Sequence, residues 1–398
     1  MTQPETPVPA AASSDKEAAS ASDVRVKLFA RTDVGQVREH NEDNFLVADL
    51  TKRSRGLLEA NRATTIGHQG AVFAVCDGMG GAAAGEIASQ LAVDIIYERL
   101  VDGLGDRPVK RDELARRLVR AVETAGLRIF HEAKADRSRR GMGTTVTAAA
   151  LVDELLFFAQ VGDSRGYILR GDTLVQLTRD QSLVNQLIEA GQLTEEEAET
   201  FEHNNIILQA LGTSDTVQVD LTYAEVRRGD LLLLCSDGLS GMVRFEEIRE
   251  ILRSGMEPLE ICKALTERAN HAGGHDNITV IIVQFDGPGL QGPEADTEPL
   301  KYRKYVLSDE SLTDTAPMPA THLANLPGAP NAMGTPGLAN AVAVGASGSW
   351  QEQGAHGQAE LDYDRVDIPG THVPVWMVIG IVVGVVVLLA GTAFLLLR

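Results

Sequence analysis

Apolar residues fall into two rhythms between positions 24 and 285. Continuous or alternating apolar runs rich in β-branched residues occupy 71–76, 144–152, 155–161, 166–170, 231–235 and 278–285. They predict strands, several of them buried on both faces. Between these runs, 84–100, 111–134, 245–254 and 258–272 carry apolar residues at helical spacing and predict helices. Two long helices thus follow the early strands, and a shorter pair precedes the last one. That order suits packed sheets flanked by helices, an α+β arrangement, better than a strictly alternating parallel fold.

Outside this region the pattern changes. Positions 1–23 hold Ala, Ser, Pro, Thr and charge without an apolar core, which predicts a disordered leader rather than a signal peptide. From 286 to 372 the composition shifts to Gly, Pro, Ala, Thr and Asp. This predicts a disordered linker with an r.m.s. span on the order of 50 Å. Positions 373–397 then contain no charged side chain. The apolar part is roughly 35 Å long as a helix, enough for a hydrocarbon core of about 30 Å, so a single-pass C-terminal transmembrane anchor is expected. With no signal peptide ahead of it, the folded domain is expected on the cytoplasmic side. Gly380 and Gly384 form a small-xxx-small pair suited to a weak dimer of such helices, although glycine is common in membrane helices anyway.

A hydrophobic fraction of 44% supplies a sizeable core. The formal net charge of −20 argues against a nucleic-acid partner, because phosphate backbones select basic surfaces. It leaves room for a phosphorylated substrate if cations gather on the acidic residues. Cys76, Cys235 and Cys262 are too few and too scattered for a disulfide framework or a closed zinc site, which fits a reducing compartment.

The chemistry lies in a repeated local grammar of apolar run, then Asp, then a small residue. The run ending at Cys76 leads into Asp77-Gly78-Met79-Gly80-Gly81, and the run ending at Val161 leads into Gly162-Asp163-Ser164-Arg165. Cys235 is followed by Ser236-Asp237-Gly238, and Asp276-Asn277 precedes the last run. Any one of these is ordinary turn chemistry. Four at strand ends, brought into one cleft, would repel one another unless hard divalent cations with oxygen ligands neutralised them. The lack of nearby Cys and of a spaced His pair disfavours zinc. Gly78 leaves its carbonyl unshielded, free to ligate as well. Upstream, Arg38 offers a planar fork to phosphate oxygens, and Glu42 and Asp43 are placed to hold metal-bound waters or orient that arginine.

The ordered set of Arg38, Asn41-Glu42-Asp43, Asp77 to Gly81, Gly141-Met142-Gly143-Thr144-Thr145, Gly162 to Arg165, Ser236 to Gly238 and Asp276-Asn277 resembles the metal-dependent (type 2C) protein serine/threonine phosphatases. The likeness is greatest to the bacterial branch that opposes Ser/Thr kinases, and it spans 24–285. The resemblance implies an α-β-β-α sandwich of two mainly antiparallel sheets with two Mg²⁺ or Mn²⁺ ions at one edge. By motif, Asp77 would bridge both metals, the Gly78 carbonyl would ligate one, and Asp237 and Asp276 would complete the other. Asp163, with Asp237, would hold a weaker third ion, Arg38 would bind phosphate, and 182–212 would form a flap. Phosphorylated proteins are the implied substrates, and a Ser/Thr kinase acting on the same proteins the implied counterpart. A metal-activated water would attack phosphorus without a phosphoenzyme.

Met79 replaces a histidine that many eukaryotic members use as general acid, so a metal-bound water is expected to protonate the leaving group. Cys76 and Cys235 read as buried strand-end residues and His275 as a solvated loop residue. The rival readings are a metal-free binding module of the same fold, a membrane adaptor, and a related phosphatase that resets an anti-sigma system.

Overall fold

The computed structural model describes residues 23–56, 63–80, 84–198, 201, 205–293 and 299–307. The chain begins with β1 (Arg25–Asp33), β2 (Asp43–Asp49), β3 (Ser54–Arg55), β4 (Thr64–Thr65) and β5 (Ala71–Met79). Helices α1 (Ala84–Val101) and α2 (Arg111–Ala135) follow, then β6 (Gly143–Thr144), β7 (Val146–Val152), β8 (Leu155–Val161), β9 (Arg165–Arg170) and β10 (Thr173–Gln176). After α3 (Leu183–Glu189) and α4 (Glu195–Ala198) come β11 (Asp220–Glu225) and β12 (Leu231–Cys235). The sequence closes with α5 (Asp237–Ser240), α6 (Phe245–Leu252), α7 (Pro258–His271) and β13 (Ile278–Asp286).

The strands form two antiparallel sheets, ordered β10-β9-β12-β13-β1-β4 and β11-β8-β7-β5-β2-β3, with β6 paired to β5 beside the second. Alternation along each central strand dictates the layers. On β13, Ile281, Val283 and Phe285 point into the core between the sheets, while Val280 and Ile282 meet α7 through Ile261 and Leu265. On β5, Phe73 and Val75 face the other sheet, while Val72 and Ala74 meet α1 and α2 through Ile96, Leu118 and Ile129. Strands buried on both faces must be apolar throughout, which is why their runs are continuous. Each fully buried Leu, Ile, Val or Phe in these layers contributes roughly 1.5–3 kcal/mol through area removed from water. The expected α-β-β-α sandwich is what forms, with the predicted helix pairs on its two outer faces.

Three sequence expectations change or fall elsewhere. Asp77 and Gly78 lie inside β5 rather than beyond its end, because β2 and β6 extend the pairing through Asp43↔Asp77 and Gly78↔Thr144. The folded part also runs past Phe285, where the linker was expected to begin: residues 287–293 and 299–307 hydrogen-bond to the domain, as in Arg228 N–H to Gln291 O and Tyr305 N–H to Leu221 O. Of the expected leader, 1–23, only Asp23 is among the described residues, and the expected anchor, 373–397, lies outside them. Among the described residues, no helix is long and apolar enough to cross a membrane.

Candidate active site

The site begins where the apolar core between the sheets stops. The strand alternation that points Phe73 and Val75 inward next delivers Asp77, and Val47 and Phe45 are continued by Asp43. In the same way Leu232 and Leu234 lead to Ser236, Leu151 and Ala149 to Thr147 and Thr145, and Phe158 to Gln160. One end of the sandwich therefore replaces hydrocarbon with a buried polar cluster.

Its hydrogen bonds hold the acidic residues in place. Thr145 N–H and the Thr144 hydroxyl each donate to Asp77 O at 2.8 Å, and Asp77 N–H donates to Thr145 Oγ1 at 3.0 Å. The Ser236 hydroxyl donates to Asp43 Oδ2 at 2.7 Å, while accepting from Thr279 N–H at 2.9 Å. Asn277 joins the Arg38 loop to the Asp276 loop. Its Nδ2 donates to Val34 O at 3.0 Å and His40 O at 2.9 Å, and its Oδ1 accepts from Glu42 N–H at 2.8 Å. Backbones approach so closely here that side chains are excluded. A Cβ on Gly78 would sit 2.3 Å from Gly85 O, and one on Gly238 would sit 2.0 Å from Asn277 O.

Asp77, Asp43, Asp163, Asp237 and Asp276 lie within electrostatic reach of one another, and Arg38 Nη2 donates to Asp276 Oδ2 at 2.7 Å. Burial, reinforced by Asp43, Asp237, Asp163 and Asp276, raises the Asp77 carboxyl well above the usual carboxylate range. Burial likewise pushes Asp43 up to about 7, although the Thr279 and Ser236 hydroxyls oppose it. For Asp163 the causes are burial, then Asp237 and Asp180, and its pKa also reaches about 7. Asp237 is raised by burial and Asp276, offset by a hydrogen bond with Asp77. Glu42 is raised chiefly by burial, with Arg38 opposing. Arg38 is held more firmly protonated, first by its hydrogen bond to Asp276.

These shifts mark a site built for positive charge. Asp43 Oδ1, Asp163 Oδ1 and Asp237 Oδ1 are buried with no hydrogen-bond partner among the described residues. Leaving such atoms unpaired is costly, and hard cations are what an all-oxygen, all-carboxylate set accommodates. No three acidic, Cys or His side chains among the described residues have closed around a common point. A hydrogen bond joins Asp77 to Asp237, and an ion pair joins Arg38 to Asp276. The donor set fits divalent ions.

Of the residues named from the sequence, Arg38, Glu42, Asp43, Asp77, Asp163, Asp237 and Asp276 act on one another at this end of the sandwich. Ser236, Thr144, Thr145 and Asn277 stand in the motifs without a role assigned to them, and the structure supplies one: they hold the carboxylates and join the loops. Asn277 bonds to partners 235 to 243 residues away, so no local pattern signals it. Gln181, from which the sequence yields nothing, ties the start of the 182–212 segment to Gly162: Gln181 N–H donates to Gly162 O, and Gly162 N–H donates to Gln181 Oε1, both at 2.9 Å. The other end is tied through Leu211, which pairs with Thr144. Cys76 and Cys235 are buried free thiols, and burial pushes both up, Cys235 to about 12. His275 is exposed.

Comparison with known proteins supports the same picture. The family model for protein phosphatase 2C matches residues 54–270, more than half the chain. The serine/threonine phosphatase stp of Listeria innocua is 36% identical over 254 residues, which cover 64% of this chain and 94% of that protein. The protein phosphatase PhpP of Streptococcus pneumoniae is 40% identical over 255 residues, covering 64% and 96%. Among solved structures, the catalytic domain of the serine threonine protein phosphatase PstP in complex with two manganese ions superposes with a TM-score of 0.54. It is 35% identical, covering 66% of this chain and all of that one.

Proposed function

The chain belongs to the protein phosphatase 2C family, and from that premise we propose how its acidic cleft performs the family's reaction. The protein is a metal-dependent protein-serine/threonine phosphatase with Mg²⁺ or Mn²⁺ as cofactor, two ions per site. Asp77, the Gly78 carbonyl, Asp237 and Asp276 would hold the two ions, and Asp163 with Asp237 would hold a weaker third. When bound, the ions lower the pKa of water to near neutrality and neutralise the phosphoryl oxygens. Arg38, released from Asp276, turns its fork onto the phosphate and stabilises charge on the equatorial oxygens. Glu42 and Asp43 would hold metal-bound waters or orient Arg38, and Ser236 fixes Asp43 by a hydrogen bond. The oxygen of water would bond to phosphorus as the bond to the seryl or threonyl oxygen breaks, the proton lost by water being balanced by one gained at the departing oxygen. The two buried thiols, pushed far from their reactive range, supply no competing nucleophile.

The observation that carries this assignment is the group of orphaned carboxylate oxygens with Arg38 parked on Asp276. The full chain in detergent should hydrolyse p-nitrophenyl phosphate and a phosphothreonine peptide with Mn²⁺, and stop with EDTA or in Asp77→Asn. Activity that survives both would remove the metal assignment.

Residues 373–397 we read as a single membrane-spanning helix that leaves the phosphatase on the cytoplasmic side. The support is the uncharged stretch itself, together with three cysteines that stay as free thiols in the fold. The substrates are then phosphoproteins at or near the bilayer, shared with a Ser/Thr kinase, and Gly380 and Gly384 allow weak pairing of two anchors. Protease protection of the domain in sealed cytoplasmic-side-in vesicles tests the orientation. Full rescue of a deletion by the anchorless enzyme would sink the membrane role.

A further inference from the structure

Residues 301–307 form a strap on the open edge of the second sheet. Tyr223 N–H donates to Arg303 O at 3.1 Å, Tyr305 N–H donates to Leu221 O at 2.9 Å, and Thr222 bridges antiparallel to Lys304. The strap thus adds a strand to β11, the edge strand of that sheet. Tyr305 anchors it, standing edge-on to Phe157 and Tyr223 with ring centroids 4.9 and 5.3 Å away, while its hydroxyl donates to Asp112.

Tyr302 faces a different neighbour. Its hydroxyl donates to Asp220 Oδ2 at 2.6 Å, and its ring carries the Arg179 guanidinium 4.9 Å from its centroid. Arg179 pairs in turn with Glu189 at 3.0 Å, the last residue of α3. Asn185, on the same helix, donates to Glu189 Oε1 at 3.0 Å and to Asp180 O at 2.9 Å. Asp180 grips Arg165 at 2.7 Å, two residues from Asp163. A continuous set of contacts therefore runs from the strap through α3 to the acidic cleft. The segment containing α3 is rooted at both ends beside that cleft, through Gln181–Gly162 and Leu211–Thr144. It exposes Ile206 and Leu208, apolar area that a protein substrate would cover and a small ester would not.

We propose that Tyr302 and Arg179 are positioning residues that hold the 182–212 segment for engagement of phosphoproteins, making the strap a determinant of substrate class. This rests on the phosphatase assignment above. The cation–π contact joins the strap to Arg179, and the Arg179–Glu189 ion pair carries that link into the segment. Tyr305 and the backbone pairing keep the strap in place when that contact is lost. Tyr302→Ala also loses the hydrogen bond to Asp220, which Tyr302→Phe removes by itself, so the pair of variants separates the two contacts.

The test uses the full chain in detergent with Mn²⁺, comparing Tyr302→Ala, Tyr302→Phe and Arg179→Ala with the unmodified enzyme. Tyr302→Ala and Arg179→Ala should raise KM for a folded phosphothreonine protein about three- to five-fold, as the loss of one exposed cation–π contact implies. Their kcat/KM for p-nitrophenyl phosphate should stay within about two-fold of the unmodified enzyme, and Tyr302→Phe should keep the normal KM. Hydrogen exchange in 183–189 should quicken in Tyr302→Ala while the melting temperature holds. Equal losses on both substrates, a Phe variant as impaired as the Ala variant, or unchanged exchange would each overturn the proposal. An unmodified enzyme inactive on both substrates would instead strike the phosphatase assignment, and the exchange measurement would still decide the strap.

Discussion

Replacing Asp163 by Asn should stabilise the metal-free protein at neutral pH. Asp163 is only 8% exposed, its Oδ1 has no hydrogen-bond partner among the described residues, and it faces Asp237 and Asp180. Burial and those neighbours lift it from 3.8 to about 7. A carboxyl whose folded pKa lies above its unfolded one contributes stability at low pH. That contribution is lost as pH rises from about 4 through about 7. At about 1.4 kcal/mol per tenfold change in proton affinity, ionising it in the folded chain costs up to about 4 kcal/mol. Sharing of the repulsion with Asp237 and the new amide's need for an acceptor reduce the net gain to roughly 2–4 kcal/mol. In a domain of this size that is on the order of 5–10 °C in Tm. Asn keeps the shape and removes the charge. In EDTA at pH 7.5 the Asn variant should therefore melt higher than the unmodified protein, with the gap closing below pH 4. Mn²⁺ should narrow or invert the gap, because an ion that binds only the folded state stabilises it by mass action and the variant offers one carboxylate fewer. Thermal unfolding followed by fluorescence from pH 4 to 8, with EDTA or Mn²⁺, reads all of this. A variant no more stable at pH 7.5 without metal, or a gap of the same size at both pH extremes, would refute the electrostatic account.

Gly78→Ala places a methyl 2.3 Å from Gly85 O and 2.5 Å from Glu42 O, both backbone atoms. The strand, loop and helix must part, at about 2–3 kcal/mol or more, so a lower Tm and loss of Mn²⁺-dependent turnover are expected together. Asn277→Ala removes three hydrogen bonds and leaves Glu42 N–H unpaired. Urea unfolding should report about 2–5 kcal/mol of lost stability, and kinetics a raised KM for phosphate esters as the Arg38 loop loosens. Cys76→Ser and Cys235→Ser should retain Mn²⁺-dependent catalysis per folded molecule, whereas a thiol nucleophile would make either change abolish it.

Much of this molecule is legible without coordinates because strand and helix periodicities are local. The run at 278–285 reads as a strand buried on both faces, and it is one: odd and even residues feed two different cores. The motifs at Asp77, Asp163, Asp237 and Asp276 are legible for a related reason, since each sets a residue that hydrocarbon cannot accommodate at one end of an apolar run. What stayed hidden is whatever depends on pairing across the chain. The extension of β5 through Asp77 required the partners Asp43 and Thr144, which no window around position 77 contains. The roles of Asn277 and Ser236 are set by atoms about 190 to 240 residues distant. The strap looked like linker because Tyr302 and Tyr305 acquire meaning only against β11 and Arg179. Sequence thus determined which faces are apolar and which residues carry charge. Tertiary structure alone decided that several strands change from apolar to polar at the same end of the sandwich. Only there do the carboxylates crowd into a volume whose repulsion calls for cations.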